Sequence, residues 1–343
     1  MAYETGTFAG TETLLDLVTI MKDFAVADGW TLDAFAGNTL RMHADQCFAN
    51  FNINTTATVN DSKGSTGLTA SPDHRLEGRL GVDTTAVTVS GDYRRVSCND
   101  MTPPYSKYWL YSGAVGDPKY IHLVVLKANG RYCHMSFGNL DKKGASYAGG
   151  AYMTAVYWNW WFNATSISPS GSNEGSDVRT SSNTFPFGPH QNDRTSYNVF
   201  VGDLSSSNKV LSGSTTDSYD KLAAVISSQA GRTLNDGNWS AAGSLALSHI
   251  FFLGPVSING VTPVFECPVY WTDSATSRVR LLGTVPGFRF ASMINRKEGE
   301  TISFASDQYD IYPFKRALPW YPEPWATKTV TSGPYGLAIK KNP

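Results

Sequence analysis

Two apolar runs joined by Asn129-Gly130 constrain the fold more than any other feature of this sequence. The first run covers residues 120–128 and the second covers residues 131–137. Asn-Gly favours positive φ at both central positions of a type I′ turn, the two-residue turn that matches the twist of paired strands. The pattern therefore predicts an antiparallel hairpin with a two-residue loop, and in that register His122 faces Phe137.

The composition also favours strands and turns over helices. Of the 343 residues, 17% are charged and 13% are aromatic, with nine Trp, whereas about 25% charged residues is usual. Residues 47–54 alternate between apolar side chains and Asn, which indicates a half-buried strand. We predict a mainly β (α+β) fold: an antiparallel β-sandwich-like core with an N-terminal amphipathic helix, one further helix and long loops.

Two segments have helical spacing. Between Thr13 and Asp28 the apolar residues recur every three or four positions, with Thr11 or Thr13 as a candidate N-cap and Gly29 as the stop. A second helix is predicted from Asp217 or Ser218 to Gln229. It rests on the spacing of three apolar residues: Leu222, Val225 and Ile226.

The order of these patterns divides the chain into four segments. Residues 1–162 contain the helix and a β domain, and residues 163–193 form a long polar loop or linker without periodicity. Residues 194–317 are a second β-rich half, which is either a separate domain or part of the first. Residues 318–343 are an extended tail rich in Pro and aromatic residues, which needs a surface to lie on.

Charge and hydropathy argue against several classes of protein. The net charge is −1, and no block of five like charges occurs, so we expect no nucleic-acid partner. No apolar run is long enough for a transmembrane helix, and we expect no membrane partner. Glu4 lies where a signal peptide carries Lys or Arg, which argues against secretion.

The sequence offers no motif for catalysis or for a cofactor. Cys133 and His134 are neighbours on a predicted strand, so their side chains point to opposite faces and cannot chelate one ion. His43 and Cys47 lack the second ligand pair of a zinc site. No nucleophile elbow and no glycine-rich phosphate loop is present. We predict free core thiols, no metal, no cofactor and no enzymatic activity.

Clustered aromatic residues are the most informative positive feature. They are either buried on both sides of a sandwich or exposed at an interface, where Trp and Tyr are enriched. We take them as candidate interface residues: Trp158, Trp160, Trp161, Trp320, Tyr321 and Trp325. The alternative is a host-surface module that binds or hydrolyses glycans, which requires two carboxylates in one cleft for hydrolysis. The sequence gives no pairing among its candidates: Asp73, Glu77, Glu174, Glu266 and Asp310.

Three motifs in order resemble a group of tailed-bacteriophage virion proteins. The first is an N-terminal Thr-Gly followed by Leu14-Leu15-Asp16, Phe24 and the exit Gly29-Trp30. The second is Met135-Ser-Phe-Gly-Asn139 followed by Ala148-Gly-Gly-Ala-Tyr152, and the third is Ser332-Gly-Pro-Tyr-Gly-Leu-Ala-Ile-Lys340.

The resemblance implies a structural component of the tail, neck or baseplate, present in many copies in symmetric rings. Its partners would be copies of itself and other virion proteins, and it would be located in the virion after assembly in the host cytoplasm. The resemblance brings no catalytic residue with it.

Overall fold

The computed structural model describes fourteen stretches of the chain, and every structural statement below concerns these residues. They are 3–60, 70–72, 74–81, 83–86, 96–98, 101–143, 150–155, 200–203, 209–212, 223–225, 264–273, 278–292, 296–313 and 335–341.

The described residues form one helix and many strands, and the mainly β class is confirmed. The helix is α1 (Leu14–Ala27). The first eleven strands are β1 (Tyr3–Thr7), β2 (Thr31–Ala36), β3 (Thr39–Ala44), β4 (Cys47–Asn54), β5 (Thr58–Asn60), β6 (Ala70–Pro72), β7 (Arg75–Gly81), β8 (Val96–Cys98), β9 (Tyr105–Ser112), β10 (Tyr120–Lys127) and β11 (Tyr132–Asn139). The remaining strands are β12 (Asp141–Lys142), β13 (Ala151–Ala155), β14 (Phe200–Asp203), β15 (Lys209–Ser212), β16 (Ala223–Val225), β17 (Val264–Asp273), β18 (Arg278–Ser292), β19 (Glu300–Phe304), β20 (Asp307–Pro313) and β21 (Tyr335–Lys341).

The strands assemble into three larger antiparallel sheets and one two-stranded pair, β5-β6. We call them the central sheet (β1-β9-β10-β11-β13-β14-β15), the N-terminal sheet (β2-β3-β4-β7-β8) and the C-terminal sheet (β16-β17-β18-β21-β20-β19, with β12 beside β18).

Helix α1 forms where its sequence predicts it. Thr13 is the N-cap: its hydroxyl accepts from the Asp16 amide at 3.3 Å, and the Asp16 carboxylate accepts from the Thr13 amide at 2.8 Å. This reciprocal capping box satisfies two amides that the helix leaves unpaired. Gly29 follows the helix with a φ of +90°, which ends it at low steric cost.

The predicted β10–β11 hairpin exists, but its predicted register is wrong by one residue. Gly130 has a φ of +78°, and its amide donates to the Lys127 carbonyl at 3.0 Å, whereas Asn129 is not among the described residues with positive φ. The loop is therefore a three-residue turn ending in a glycine bulge, not a type I′ turn. As a result, His122 pairs with Ser136 instead of Phe137.

The slipped register decides which side chains reach each face of the central sheet. One face packs on α1 and the N-terminal sheet, and the rings of Phe51 and Phe137 meet edge to face at 4.9 Å between centroids. This shared apolar core includes Leu17, Met21, Phe24, Met42, Phe51, Leu80, Leu123, Val125, Cys133, Met135 and Phe137. The other face carries His122, His134 and Ser136, and its partners lie in the C-terminal sheet.

The second predicted helix is wrong where the structure describes it. Residues 223–225 of that window form β16, which pairs with β17. Three apolar residues at short spacing suit a strand as well as a helix, and here pairing with a strand distant in sequence determines the outcome. The rest of the window lies outside the described residues.

Strand pairs cross the proposed segment boundaries. In the central sheet β13 pairs with β14, and in the C-terminal sheet β12 pairs with β18. Residues 335–341 of the predicted tail form β21, which lies between β18 and β20 with Leu337, Ala338 and Ile339 buried. This part of the tail is an extended strand inside the C-terminal sheet. The four-segment division stays a prediction.

Candidate functional site

A layer of buried polar side chains joins the central sheet to the C-terminal sheet. We define this polar layer as Tyr111, His122, His134, Ser136, Tyr152, Asp310 and Tyr312. Each of these side chains is at most 2% exposed. Tyrosines dominate the largest fully buried side chains of the described chain: Tyr111, Tyr120, Tyr132, Tyr152, Tyr309 and Tyr312. Buried polar side chains of this kind serve in catalysis, in metal binding or in structural hydrogen bonding. Their contacts distinguish these three roles.

Asp310 on β20 is the centre of one half of the layer. Its Oδ2 accepts from the Tyr111 hydroxyl at 2.8 Å, and its Oδ1 accepts from Thr301 Oγ1 at 2.6 Å. Lys341 Nζ lies 3.6 Å from Oδ2, and the hydroxyl of Tyr312 is hydrogen-bonded to that of Tyr111. The buried carboxylate is thus supplied with donors and a cation, as a buried charge requires.

His122 on β10 is the centre of the other half. Its Nε2 lies 3.0 Å from the Pro286 carbonyl, which can only accept, so Nε2 carries the proton. Nδ1 then accepts from the Ser136 hydroxyl, and Ser136 Oγ in turn accepts from the Tyr152 hydroxyl at 3.0 Å. His134 repeats the first contact, since its Nε2 donates to the Pro313 carbonyl at 2.9 Å.

Burial sets the protonation states in this layer. It lowers the pKa of His122 and of His134 to about 4, against the contacts with the two carbonyls, which raise it. Burial likewise raises the pKa of Tyr111 and of Tyr312 well above the usual value, with a further contribution from Asp310. The imidazoles and phenols are therefore neutral near pH 7 and act as hydrogen-bonding groups.

The Ser136–His122 pair has the connectivity of a nucleophile and its base, but not the access. Ser136 is 0% exposed and His122 is 1% exposed, so no substrate carbonyl can approach the hydroxyl in this conformation. The second nitrogen of His122 faces a carbonyl in place of the carboxylate that orients a catalytic histidine. Within the central sheet the pair joins two neighbouring strands, and the His122–Pro286 contact links that sheet to the C-terminal sheet.

No group of three His, Cys, Asp or Glu side chains that could hold a metal ion occurs within the described stretches. Cys133 belongs to the apolar core, and the adjacent His134 points into the polar layer, so the two face opposite sides as predicted. The four cysteines are buried thiols outside any disulfide. Burial raises the pKa of Cys47, which keeps its thiol protonated.

The described carboxylates of the glycan alternative do not share a cleft. Glu77 on β7 is 0% exposed and accepts from Asn52 at 3.1 Å. Glu266 accepts from Arg289, which also contacts Tyr309, and Tyr309 points to the opposite side of β20 from Asp310. Asp73 and Glu174 lie outside the described residues.

The candidate interface residues named from the sequence cannot be placed. Trp158, Trp160, Trp161, Trp320, Tyr321 and Trp325 all lie outside the described residues. What the structure shows instead is a different set of exposed apolar side chains. Leu15 and Val26 on α1 are 41% and 43% exposed, and Leu32 on the neighbouring strand β2 is 41% exposed.

Comparison with models of known protein families gives no match, and comparison with curated protein sequences gives none either. Within the described residues, no helix is long and apolar enough to cross a membrane.

The polar layer was missed from the sequence for two reasons. The register error placed His122 opposite a phenylalanine, and correct assignment of the glycine bulge would have placed it opposite Ser136. The partners Pro286, Asp310 and Tyr312 are more than 150 residues further along the chain, and no local pattern connects them to β9 or β10. The one available signal was the presence of polar residues at alternate positions on both strands of the hairpin.

Proposed function

We propose that this protein is a non-enzymatic structural component of a tailed-phage particle, in the tail, neck or baseplate, that acts by packing against copies of itself and other virion proteins. The observation that carries the proposal is the state of the polar layer. Its imidazoles, hydroxyls and carboxylate are buried, and each is hydrogen-bonded to another side chain or to a backbone carbonyl. We infer that these groups stabilise the fold and that the function depends on residues at the surface.

Two surface features support an assembly role. Leu15, Val26 and Leu32 expose large apolar side chains on α1 and on the strand that follows it. Contact with another protein surface would remove these side chains from water, which is favourable. The second feature is the end strand of the central sheet, which is treated below.

We further propose that the central and N-terminal sheets form a sandwich-like core. Two observations favour this arrangement. The rings of Phe51 and Phe137 pack edge to face, and side chains from both sheets and from α1 belong to one apolar core. A rigid core of this kind suits a protein that repeats in a ring, because its surfaces keep a fixed relative orientation.

The experiment is to purify the tailed particles of the virus that encodes this chain and to test for the chain by peptide mass spectrometry and by antibody labelling in electron microscopy. We expect the particles to contain the chain in stoichiometric amounts and the antibody label to lie at one position along the particle. Particles without the chain would contradict the proposal. Binding of the full chain to a polysaccharide array, or release of reducing ends, would favour the glycan alternative instead.

A further inference from the structure

Among the described strands, β1 lies at the end of the central sheet. Within the described part of the chain, β1 has β9 as its only strand neighbour. Thr5 and Thr7 are exposed, while Tyr3, Glu4 and Gly6 are partly buried. A strand at the end of a sheet presents unpaired amides and carbonyls to any further strand that approaches.

The hydrogen-bond phase of β1 identifies the groups that point outward. The Phe8 amide donates to the Ser106 carbonyl at 3.1 Å, and Gly6 lies opposite Tyr108 two positions earlier. Because bonded and non-bonded pairs alternate in an antiparallel ladder, the even positions of β1 bond to β9. The amides and carbonyls of Tyr3, Thr5 and Thr7 therefore point away from the sheet.

The side chains of β1 leave this edge uncovered. The Glu4 carboxylate accepts from the Tyr108 hydroxyl at 2.7 Å, so the charge of the strand is directed back onto β9. The Tyr108 ring lies over Gly6, and Lys341 Nζ lies 4.4 Å above the Tyr3 ring. By contrast, the end strand β2 carries a register shift at Asp33. A bulge and an outward charge are devices that prevent further pairing. The pairing of β1 with β9 has no register shift, and the charge of Glu4 is held by Tyr108.

The sequence of β1 fits a second copy of itself about a two-fold axis. In an antiparallel pair centred on Thr5, Tyr3 faces Thr7 of the other copy and Thr5 faces Thr5. Aromatic–β-branched and Thr–Thr pairs are favourable cross-strand neighbours. On the other face each Glu4 lies opposite a Gly6, so the two carboxylates do not meet. A pair centred on Glu4 would place like charges together.

We propose that β1 is an interface at which two copies of this chain pair edge to edge and continue the central sheet across a two-fold axis. Each of the three residue pairs exchanges two backbone hydrogen bonds. The choice of a second copy as the partner rests on the proposed assembly function. In that function, β1 is the surface through which two copies make contact.

The test replaces the outward donor at the centre of the interface. Thr5→Pro removes an amide that does not bond to β9, so the intramolecular ladder is retained. Thr5→Val is the matched control: both variants lose the hydroxyl that donates to the Tyr108 carbonyl at 2.9 Å, but only Thr5→Val keeps the amide. Thr7→Pro repeats the test at a second outward position.

Sedimentation equilibrium of the full chain over a wide concentration range supplies the readout. We expect a dimer for the wild-type chain and for Thr5→Val, and a dissociation constant raised at least about tenfold for both proline variants. Circular dichroism and Tm of Thr5→Pro should match those of Thr5→Val.

The edge proposal would be overturned if the proline variants dimerised with unchanged affinity, or if Thr5→Val lost the dimer. Neither result would decide the assembly function, which the test for the chain in purified particles addresses separately. A wild-type chain that stays monomeric would overturn the edge proposal as well.

The register is tested by oxidation, since Thr5→Cys should give a disulfide-linked dimer and Thr7→Cys should not. The reverse result would overturn the two-fold pairing centred on Thr5.

Discussion

The hydroxyl of Tyr111 donates to Oδ2 of Asp310 at 2.8 Å, across 199 positions of sequence and between two sheets. This one contact links the second strand of the central sheet to an interior strand of the C-terminal sheet. Since Asp310 is only 2% exposed, water cannot replace a donor that is removed. The contact therefore makes the stability of the protein depend on the polar layer.

Tyr111→Phe should lower the free energy of unfolding by about 1–3 kcal/mol, because it leaves a buried carboxylate with one donor fewer. Urea unfolding followed by fluorescence measures the change. Tyr3→Phe is the matched control, since the Tyr3 ring packs on Tyr111 at 5.1 Å between centroids and the substitution preserves that ring. Equal losses in the two variants would contradict a specific role for the Tyr111 hydroxyl.

The two buried histidines should make the protein less stable as the pH falls. Their pKa values are about 4 in the folded protein, below the ordinary value of 6.5, so the unfolded chain binds protons first. The folded state is therefore fully favoured above about pH 6.5 and loses stability as the pH falls toward 4. Each histidine contributes on the order of 3 kcal/mol to this loss.

Urea unfolding of the wild type and of His134→Gln at several pH values tests this dependence. The glutamine amide can donate to the Pro313 carbonyl but does not titrate. We expect a smaller decline in stability between pH 6.5 and pH 4 for the variant than for the wild type. Parallel stability curves would show that His134 is not responsible.

Ala305→Gly should stabilise the protein. Ala305 lies in the turn between β19 and β20 with a φ of +53°, a conformation that costs an L-residue but not glycine. We expect a gain of about 0.5–1 kcal/mol, reduced by the greater entropy of glycine in the unfolded chain. Ser306→Gly serves as the control because Ser306 is not among the residues with positive φ. Thermal unfolding should show a higher Tm for the first variant only.

Gly287→Ala should destabilise the protein through contact with Tyr120. Gly287 has a φ of +65°, and a Cβ there would overlap the Tyr120 hydroxyl. Tyr120→Phe removes that oxygen, so the double variant should recover part of the lost stability while the backbone strain remains. A double-mutant cycle by urea unfolding measures the coupling between the two positions. Simple additivity would contradict the predicted overlap.

Local signals explain which parts of the fold were predictable. Thr13, Asp16 and Gly29 fix both ends of α1 within one stretch of chain, and the helix forms between them. The β10–β11 hairpin was located correctly because Asn129-Gly130 is a strong turn signal. Its register was not, since the same dipeptide serves a two-residue turn and a three-residue turn with a glycine bulge.

Long-range pairing explains what the sequence could not reveal. Val225 fits a helical stripe, yet it lies in a strand because β17 provides a partner. The polar layer depends on contacts such as Tyr111 with Asp310, which form only once the central and C-terminal sheets have assembled. The proposed interface at β1 depends on the phase of the ladder with β9, which is a property of the paired strands.

The position of β21 has a consequence for how this chain is made. The strand lies between β18 and β20, so it fills a slot flanked by segments that leave the ribosome earlier. Until residue 341 has emerged, those two neighbours have unpaired backbone groups facing each other. A nascent chain from which residues 335–341 have not yet emerged would therefore expose two unpaired strand edges, which are sites for aggregation.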